Sequence, residues 1–318
     1  MRQWNLATAP QRNHWPDGDW RVGPMGEGAR PHELPAAVLD DVARVSGAPV
    51  AVLDRLAGGI LAGATRVQLG ARATAVLKVE PRAHPDHIHD VLRAQRVVEH
   101  MRGRGYPTPA WLGVGATATH VWHLTDYVDG TPAGTLTSSL VEQLVEIVEL
   151  QAGQGSEPYD HWLFAWRVVS GQESSVAGLS RYSARVSALV ERARLMCANA
   201  SPPKAAPDMV HADLNPSNVL VRDGSVVALV DIANAGSGTR ATDLTTLQWH
   251  TFHHALDGVR MRLSAKILDA VGWDGAAMLA ATQILLQLEW PIRLRRHDLV
   301  PGVVERANRL LDELEALR

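Results

Sequence analysis

Apolar residues recur three and four positions apart in the run PAAVLDDVARVSG, which begins at Pro35 and ends at Gly47. This spacing predicts a helix that stops at the glycine, because glycine readily adopts the left-handed backbone of a helix end. The segments that follow are rich in β-branched and apolar residues and are separated by turns that contain glycine. They predict an antiparallel meander of three strands, at 50–58, 64–70 and 73–79.

A second helical pattern extends from about residue 86 to residue 101. Two more strands are predicted after it, around Trp111–Val114 and His120–Tyr127. The five strands and this helix together predict a small α+β lobe.

The pattern changes after a turn-rich connector, VDGTPAG at 128–134. Helical spacing then dominates, and it predicts helices at 138–152, 162–170, 180–199, 241–257, 264–271, 276–296 and 303–317. One segment interrupts them, MVHADLNPSNVLVRDGSVVALVDI at 209–232, in which two apolar runs flank Asp223–Gly224. An Asp-Gly pair between apolar runs predicts a β-hairpin, which here lies within a helical lobe.

These patterns divide the chain into three parts. Residues 1–34 form an irregular lead-in with three tryptophans and neither a helical nor a strand period. Residues 35–127 form a β-rich lobe, and residues 128–318 form a larger, mainly helical lobe. A chain of 318 residues, 46% of them hydrophobic, is long enough for two such lobes.

Composition narrows the classes of partner and compartment. The net charge is −3 and the charged residues are evenly mixed, which argues against nonspecific binding to nucleic acid. The longest apolar stretch, 276–288, is interrupted by threonine and glutamine and is shorter than the ~18 apolar residues of a membrane span. The N-terminus carries no apolar run behind its arginine, and Cys197 has no second cysteine to pair with. We therefore expect a cytoplasmic protein with no membrane or nucleic-acid partner.

The predicted hairpin segment contains polar residues in a definite order: His211, Asp213, Asn218 and then Asp231 at the end of the second strand. An aspartate on a loop can accept a proton from a substrate hydroxyl group. Asn218 and Asp231 offer the hard oxygen ligands that Mg²⁺ prefers when it is shared with nucleotide phosphates. The alternative is that Asp213 and Asn218 only form turns beside Pro216.

The run VHADLNPSNVLV…ALVDI resembles the catalytic and metal-binding segment of the aminoglycoside phosphotransferase family. That family also contains choline, homoserine and fructosamine kinases, and its two-lobed α+β fold is similar to that of protein kinases. The resemblance extends from about Val50 to Leu247. It implies that Asp213 is the catalytic base, that Asn218 and Asp231 hold magnesium, and that His211 braces the catalytic loop.

The same resemblance suggests a role for Asp243, in RATDLTTL. It matches an aspartate at the start of a helix in the larger lobe of the family. Capping that helix is at least as good an interpretation.

The nucleotide side of the site follows from the resemblance of ATAVLKVEP to the third strand of the kinase lobe. There a lysine reaches the nucleotide phosphates, so Lys78 is the candidate, and it is one of only three lysines among 31 basic residues. A surface lysine on an edge strand is the alternative. Gly58, Gly59 and Gly63 lie where a loop covers the nucleotide, although their spacing departs from G-x-G-x-x-G.

Asp126, Tyr127 and Val128 lie where the hinge of the family offers backbone groups to the nucleotide base. One expected residue is missing. The helix of the smaller lobe normally provides a glutamate that pairs with the strand lysine, but the matching position is Gln95. Gln95 could hydrogen-bond Lys78, or Glu99 could replace the acid from the next turn.

The resemblance implies an O-phosphotransferase that uses Mg²⁺ and ATP or GTP to phosphorylate a small hydroxylated acceptor, acting as a monomer or dimer. We expect an antibiotic-like acceptor and hence an antibiotic-resistance kinase. The alternatives are a kinase for choline, homoserine or a sugar derivative, and a nucleotide-binding pseudokinase.

Two further clusters, one of charged residues and one of histidines, bear on the acceptor and on metal binding. The late helical run LLQLEWPIRLRRHD carries three arginines against Glu289 and Asp298, and this basic balance disfavours a strongly cationic acceptor. The three histidines of HPDHIHD, at 84–90, could hold a metal but are more typical of a solvated loop.

Overall fold

The computed structural model describes residues 34–56, 63–71, 73–254 and 256–318. Within them the chain has an α+β fold, in which an antiparallel five-stranded sheet precedes a mainly helical region. The first part contains two helices and five strands: α1 (Ala36–Ser46), β1 (Val50–Arg55), β2 (Ala64–Leu69), β3 (Ala73–Pro81), α2 (His87–Arg102), β4 (Trp111–Ala116) and β5 (His120–Asp126). The predicted helix before the meander and all five strands are thereby confirmed.

The strand order in the sheet is β1-β2-β3-β5-β4. Lys78 lies on β3, the central strand, opposite Ala64 on β2 and His123 on β5. Helix α1 packs its buried residues Val38 and Val42 on one face of the sheet, in a small apolar cluster of its own. A lysine on the middle strand is therefore held in a rigid frame, and the edge-strand alternative for Lys78 is wrong.

The helical region begins after β6 (Thr131–Pro132). It contains α3 (Ser138–Glu149), α4 (His161–Val169), α5 (Ala184–Met196), β7 (Asp208–Val210), β8 (Val219–Arg222), β9 (Ser225–Leu229), β10 (Gly236–Gly238), α6 (Ala241–His250), α7 (Asp257–Arg293) and α8 (Val300–Glu315). The two helices predicted at 264–271 and 276–296 are parts of α7. They meet at Gly272, whose φ of 67° and ψ of −179° break the helical path.

The predicted hairpin is confirmed for β8 and β9. Asp223 and Gly224 form its two-residue turn with φ angles of 52° and 77°, the positive values that a type I′ turn requires. The beginning of the predicted hairpin segment differs, because Met209 and Val210 belong to β7 and pair with β10 instead. The polar residues at 211–218 therefore lie on a loop that connects two small sheets.

Helix α2 packs with the helical region rather than with α1. Its buried residues, among them Val91, Ala94 and Val98, belong to the large apolar cluster that also contains the inner faces of α3, α5, α6, α7 and α8. The boundary at residue 127 stays a prediction, because α2 packs on β4 and β5 of the sheet as well as with the helical region. Among the described residues, no helix combines the length and the apolar character that crossing a membrane demands.

Candidate active site

The loop after β7 is held by His211, whose side chain is fully buried. Its Nδ1 accepts a hydrogen bond from the backbone N–H of Asp213 (3.3 Å), and its Nε2 lies 3.2 Å from the carbonyl oxygen of Val230. These partners require the neutral tautomer with the proton on Nε2. His211 thus joins the loop to the end of β9, which is the bracing contact that the resemblance implies.

The carboxylate of Asp243 holds the same loop through hydrogen bonds from its backbone. It is fully buried on the first turn of α6, and its carboxylate accepts from the backbone N–H groups of His211 (2.7 Å) and Ala212 (2.9 Å). The side-chain amide of Gln151 donates to it as well (2.9 Å). Burial raises the pKa of Asp243, an effect that the three hydrogen-bond donors oppose. The helix-cap interpretation is wrong, because the residue at the cap position is Arg240 and α6 has no side-chain cap.

Asp213 is half-buried, and both of its carboxylate oxygens are oriented by amide donors. Asn215 Nδ2 donates to Oδ1 (2.7 Å), and Asn218 Nδ2 donates to Oδ2 (2.9 Å). Each oxygen keeps a further lone pair, so the carboxylate can still accept a proton from a ligand. Asp213 thus binds the side chains of Asn215 and Asn218, which is more than the formation of a turn.

Asn218 is only 7% exposed, and its amide nitrogen also bonds the backbone oxygen of Asp213 (2.9 Å). Both bonds use Nδ2, so Oδ1 is left as the acceptor; none of the described residues donates to it. The carbonyl oxygen of Asn218 accepts from the N–H of Val230 (2.9 Å), which brings the end of β9 beside the loop. Asp231 follows directly.

Asp231 adopts a left-handed backbone conformation, with φ 63° and ψ 41°. Its Oδ1 lies 2.6 Å from Nζ of Lys78, so β3 of the sheet and the end of β9 meet at this ion pair. Burial alone would raise the pKa of Asp231, but Lys78 holds the pKa below the ordinary value of an aspartate. The carboxylate is therefore ionised near neutral pH.

The donor set fits Mg²⁺. Asn218 Oδ1 and the Asp231 carboxylate are hard oxygen ligands, and Mg²⁺ in nucleotide enzymes commonly takes one or two protein ligands beside phosphates and water. The histidines at 84–90 do not form a comparable set. They lie beside separate acids, as in His84 with Asp90 (3.4 Å), and the described part of the chain contains no group of three metal-binding His, Cys, Asp or Glu residues.

The structure does not bring Lys78 to either candidate partner on α2. Gln95 is half-buried and Glu99 is exposed, and neither hydrogen-bonds or ion-pairs with Lys78 within the described residues. On β5, His123 is buried and stacks flat on Trp111, with ring centroids 4.4 Å apart. Burial, together with the charge of Lys78, lowers the pKa of His123 to about 3, so this neighbour of Lys78 is neutral.

The remaining nucleotide-site predictions are placed only in part. Gly58 and Gly59 lie outside the described residues, whereas Gly63 directly precedes β2, where an added Cβ would meet the side chain of Arg55. Asp126 ends β5 and its N–H bonds the carbonyl of Ala110 (2.9 Å). Tyr127 and Val128 follow it, half-buried, in the segment that leads to the helical region.

Two of the three late-helix arginines pair with acids of the same segment. Arg293 pairs with Glu289 (2.6 Å), and Arg296 pairs with Asp298 (2.9 Å). Arg295 carries the same excess positive charge that the sequence gives, and the two ion pairs leave less of the arginine charge free to repel a cationic acceptor.

Arg93 and His161 near the site were missed by sequence reasoning. Both are buried, and both bond the backbone just after Asp231. The signal for Arg93 was weak, since arginine is abundant in the chain and a buried charge on an amphipathic helix cannot be told from a solvated one by spacing.

The fold and the site together define a kinase-like phosphotransferase class. The model of the phosphotransferase enzyme family, APH, matches residues 52–279, and the chain belongs to this family. No curated protein is significantly similar to the chain in sequence.

Solved structures agree with this fold. An apo thermostable mutant of aminoglycoside phosphotransferase APH(4)-Ia superposes with a TM-score of 0.66 at 17% identity, covering 86% of this chain and 98% of that one. Spectinomycin phosphotransferase APH(9)-Ia in complex with ADP and spectinomycin has a TM-score of 0.57 at 13% identity, covering 87% and 99%. Macrolide 2'-phosphotransferase MphH from Brachybacterium faecium has a TM-score of 0.53 at 17% identity, covering 86% and 97%.

Proposed function

We propose that the protein transfers the γ-phosphate of ATP or GTP to a hydroxyl group of a small antibiotic-like acceptor. The observation that carries the proposal is the unbroken set of contacts through the site. Asp213 bonds Asn218, Asn218 bonds the residue before Asp231, and Asp231 pairs with Lys78. A proton acceptor, two oxygen ligands and one cation thus converge at the junction of the two parts of the fold.

The proposed roles follow from the chemistry of each group. Asp213, oriented by two amides, accepts the proton of the acceptor hydroxyl group as its oxygen attacks. Lys78 reaches the nucleotide phosphates from a central strand, and its positive charge attracts their negative charge. Asn218 and Asp231 would hold magnesium, which would supply positive charge to the phosphate oxygens.

The antibiotic class of acceptor is supported by the relatives with similar folds. Structures of APH(4)-Ia variants contain hygromycin B with ADP or AMP-PNP, and that of APH(9)-Ia contains ADP and spectinomycin. Because the late-helix arginines are mostly paired, both cationic and neutral acceptors belong in a test.

The test is a phosphate-transfer assay with purified protein, Mg²⁺ and radiolabelled ATP or GTP. The acceptor panel contains hygromycin B, spectinomycin, a macrolide, choline and homoserine, and Asp213→Asn is the matched variant. We expect transfer to at least one antibiotic, with a loss of ~10²–10⁴-fold in kcat in Asp213→Asn. Transfer to choline or homoserine alone would make the protein a metabolite kinase. Nucleotide binding without transfer to any acceptor would favour a pseudokinase.

A further inference from the structure

The backbone just after Asp231 is held by side chains from two distant elements. Residues Ile232–Asn234 form a single 3₁₀ turn. The carbonyl oxygen of Asn234 lies 2.9 Å from Nε2 of His161, at the start of α4. The next carbonyl, of Ala235, accepts from Nε of Arg93 on α2 at 3.0 Å.

Arg93 is built into this position. It is 4% exposed, and its guanidinium carbon lies 5.1 Å from the ring centre of Tyr159. Asp90, one turn earlier on α2, lies 3.3 Å from its Nη1 and balances its charge. A buried guanidinium that is both paired and stacked keeps a fixed direction for its N–H groups.

His161 is the second side chain that holds the backbone after Asp231. It is 7% exposed and meets the ring of Tyr159 edge-on, with centroids 4.6 Å apart and an angle of 83°. The backbone at Gly236 packs closely against Tyr159, because an added Cβ would lie 2.7 Å from the carbonyl oxygen of Tyr159. The chain after Asp231 is therefore confined between Arg93, Tyr159 and His161.

Two further side chains of α2 bond residues that precede Tyr159 in the sequence. Arg96 makes two hydrogen bonds with Glu157 (3.0 and 2.8 Å), and His100 Nε2 lies 3.0 Å from Gln154 Oε1. The position of α2 is thus set by contacts with residues 154–159 and 235. These contacts hold α2 without a pairing between Lys78 and an acid on this helix.

We propose that Arg93 and His161 are positioning residues for Asp231, and that they act on magnesium affinity through the backbone of residues 232–235. This inference rests on the proposed function, in which Asp231 is a magnesium ligand. A left-handed backbone is strained for an aspartate and persists only where its surroundings hold it. Asn218 holds the chain before Asp231, and Arg93 and His161 hold it after.

The variants Arg93→Met and His161→Phe remove the two hydrogen bonds and keep most of the apolar volume. Mg²⁺ is titrated against each at a fixed concentration of a fluorescent ADP analogue, and the affinity for the analogue is also measured in EDTA. We expect the Mg²⁺ concentration at half-saturation to rise ~10–100-fold, the usual effect of losing a group that orients a metal ligand. The affinity in EDTA stays within about 2-fold. Arg93→Lys, which keeps a donor, should recover part of the loss.

Arg192→Met is the matched control, because Arg192 also joins two elements through its guanidinium. It bonds Asp312 (2.6 Å) and Glu315 (2.8 Å) and links α5 to α8. It should lower the melting temperature without changing the Mg²⁺ dependence.

An unchanged Mg²⁺ dependence in folded Arg93→Met and His161→Phe overturns the inference. An equal rise in Arg192→Met also overturns it, because the effect would then be one of general stability. Asp231→Asn separates this failure from that of the proposed function. If Asp231→Asn binds the analogue with the same Mg²⁺ dependence as the wild type, the proposed metal site is wrong and the inference falls with it.

Discussion

Replacing Asp243 tests whether the catalytic loop is held by a buried carboxylate. Asp243→Ala leaves the N–H groups of His211 and Ala212 buried without their acceptor, whereas Gln151 keeps its contact with the hydroxyl group of Tyr106 (3.1 Å). A buried donor without a partner costs ~1–3 kcal/mol, which gives about 2–6 kcal/mol for two. Removing a carboxylate whose burial is itself unfavourable offsets part of this loss. We therefore expect the free energy of unfolding to fall by about 2–4 kcal/mol, a large share of the ~5–15 kcal/mol of an ordinary domain.

Asp243→Asn is the sharper variant because it preserves the size of the side chain. An amide offers one oxygen and one NH₂ group, so at most one backbone N–H keeps its acceptor and the other faces a donor. Ala212 has a φ of 71°, a conformation that depends on these bonds, and Asp213 follows it directly. We expect kcat to fall at least ~10-fold in Asp243→Asn, with a stability loss smaller than that of the alanine variant.

Urea unfolding followed by tryptophan fluorescence measures the stability, and the phosphate-transfer assay measures kcat. Asp312→Asn is the control, since its carboxylate is 68% exposed and pairs with Arg192 at the surface. Such pairs contribute ~0–1 kcal/mol. If Asp243→Asn keeps the stability and kcat of the wild type, the loop does not depend on this carboxylate and the interpretation is wrong.

Two other predictions follow from the groups around Lys78. Lys78→Met should raise the nucleotide KM or lower kcat at least ~10-fold, because the phosphates lose a direct counter-ion, while Lys204→Met and Lys266→Met should change neither by more than about 2-fold; equal effects in all three would contradict the assignment. His123 has a pKa of about 3 in the folded protein and an ordinary pKa of 6.5 in the unfolded chain. As the pH is lowered from about 6.5 towards 3, the unfolded chain therefore binds a proton that the folded protein does not. The free energy of unfolding should fall over this range, by up to ~1.4 kcal/mol per pH unit. His123→Phe should remove that part of the slope in urea unfolding between pH 4 and 7, and an unchanged slope would show that His123 is protonated in the fold.

Local sequence signals predicted the frame of the site well. The Asp-Gly turn at 223–224 and the glycine after α1 are decided by backbone preferences within a few residues, so they can be read without knowledge of the fold. The bonds of Asp213 to Asn215 and Asn218 are also local, since they join residues no more than five positions apart, whereas His211 also bonds Val230 and Asp243 far along the chain.

Contacts between distant parts of the chain could not be predicted in this way. The bond from Arg93 to Ala235 joins residues 142 positions apart, and spacing along α2 does not distinguish a buried arginine from a solvated one. The position of Asp243 at the start of α6, where caps are common, predicts a helix cap. Its true partners come from a loop that only the fold brings above it.

The same division explains why the reaction class follows from the sequence while the acceptor does not. The groups proposed to act on the phosphate lie on one short loop, one hairpin and one strand, and contacts of their side chains join them. In the proposed function the acceptor would contact side chains of the helical region, whose direction depends on packing between α4, α7 and their neighbours. Relatives that share this fold at 13–17% identity are accordingly named for spectinomycin, macrolides and aminoglycosides. The acceptor must therefore be identified by assay across chemical classes, with nucleotide and Mg²⁺ present.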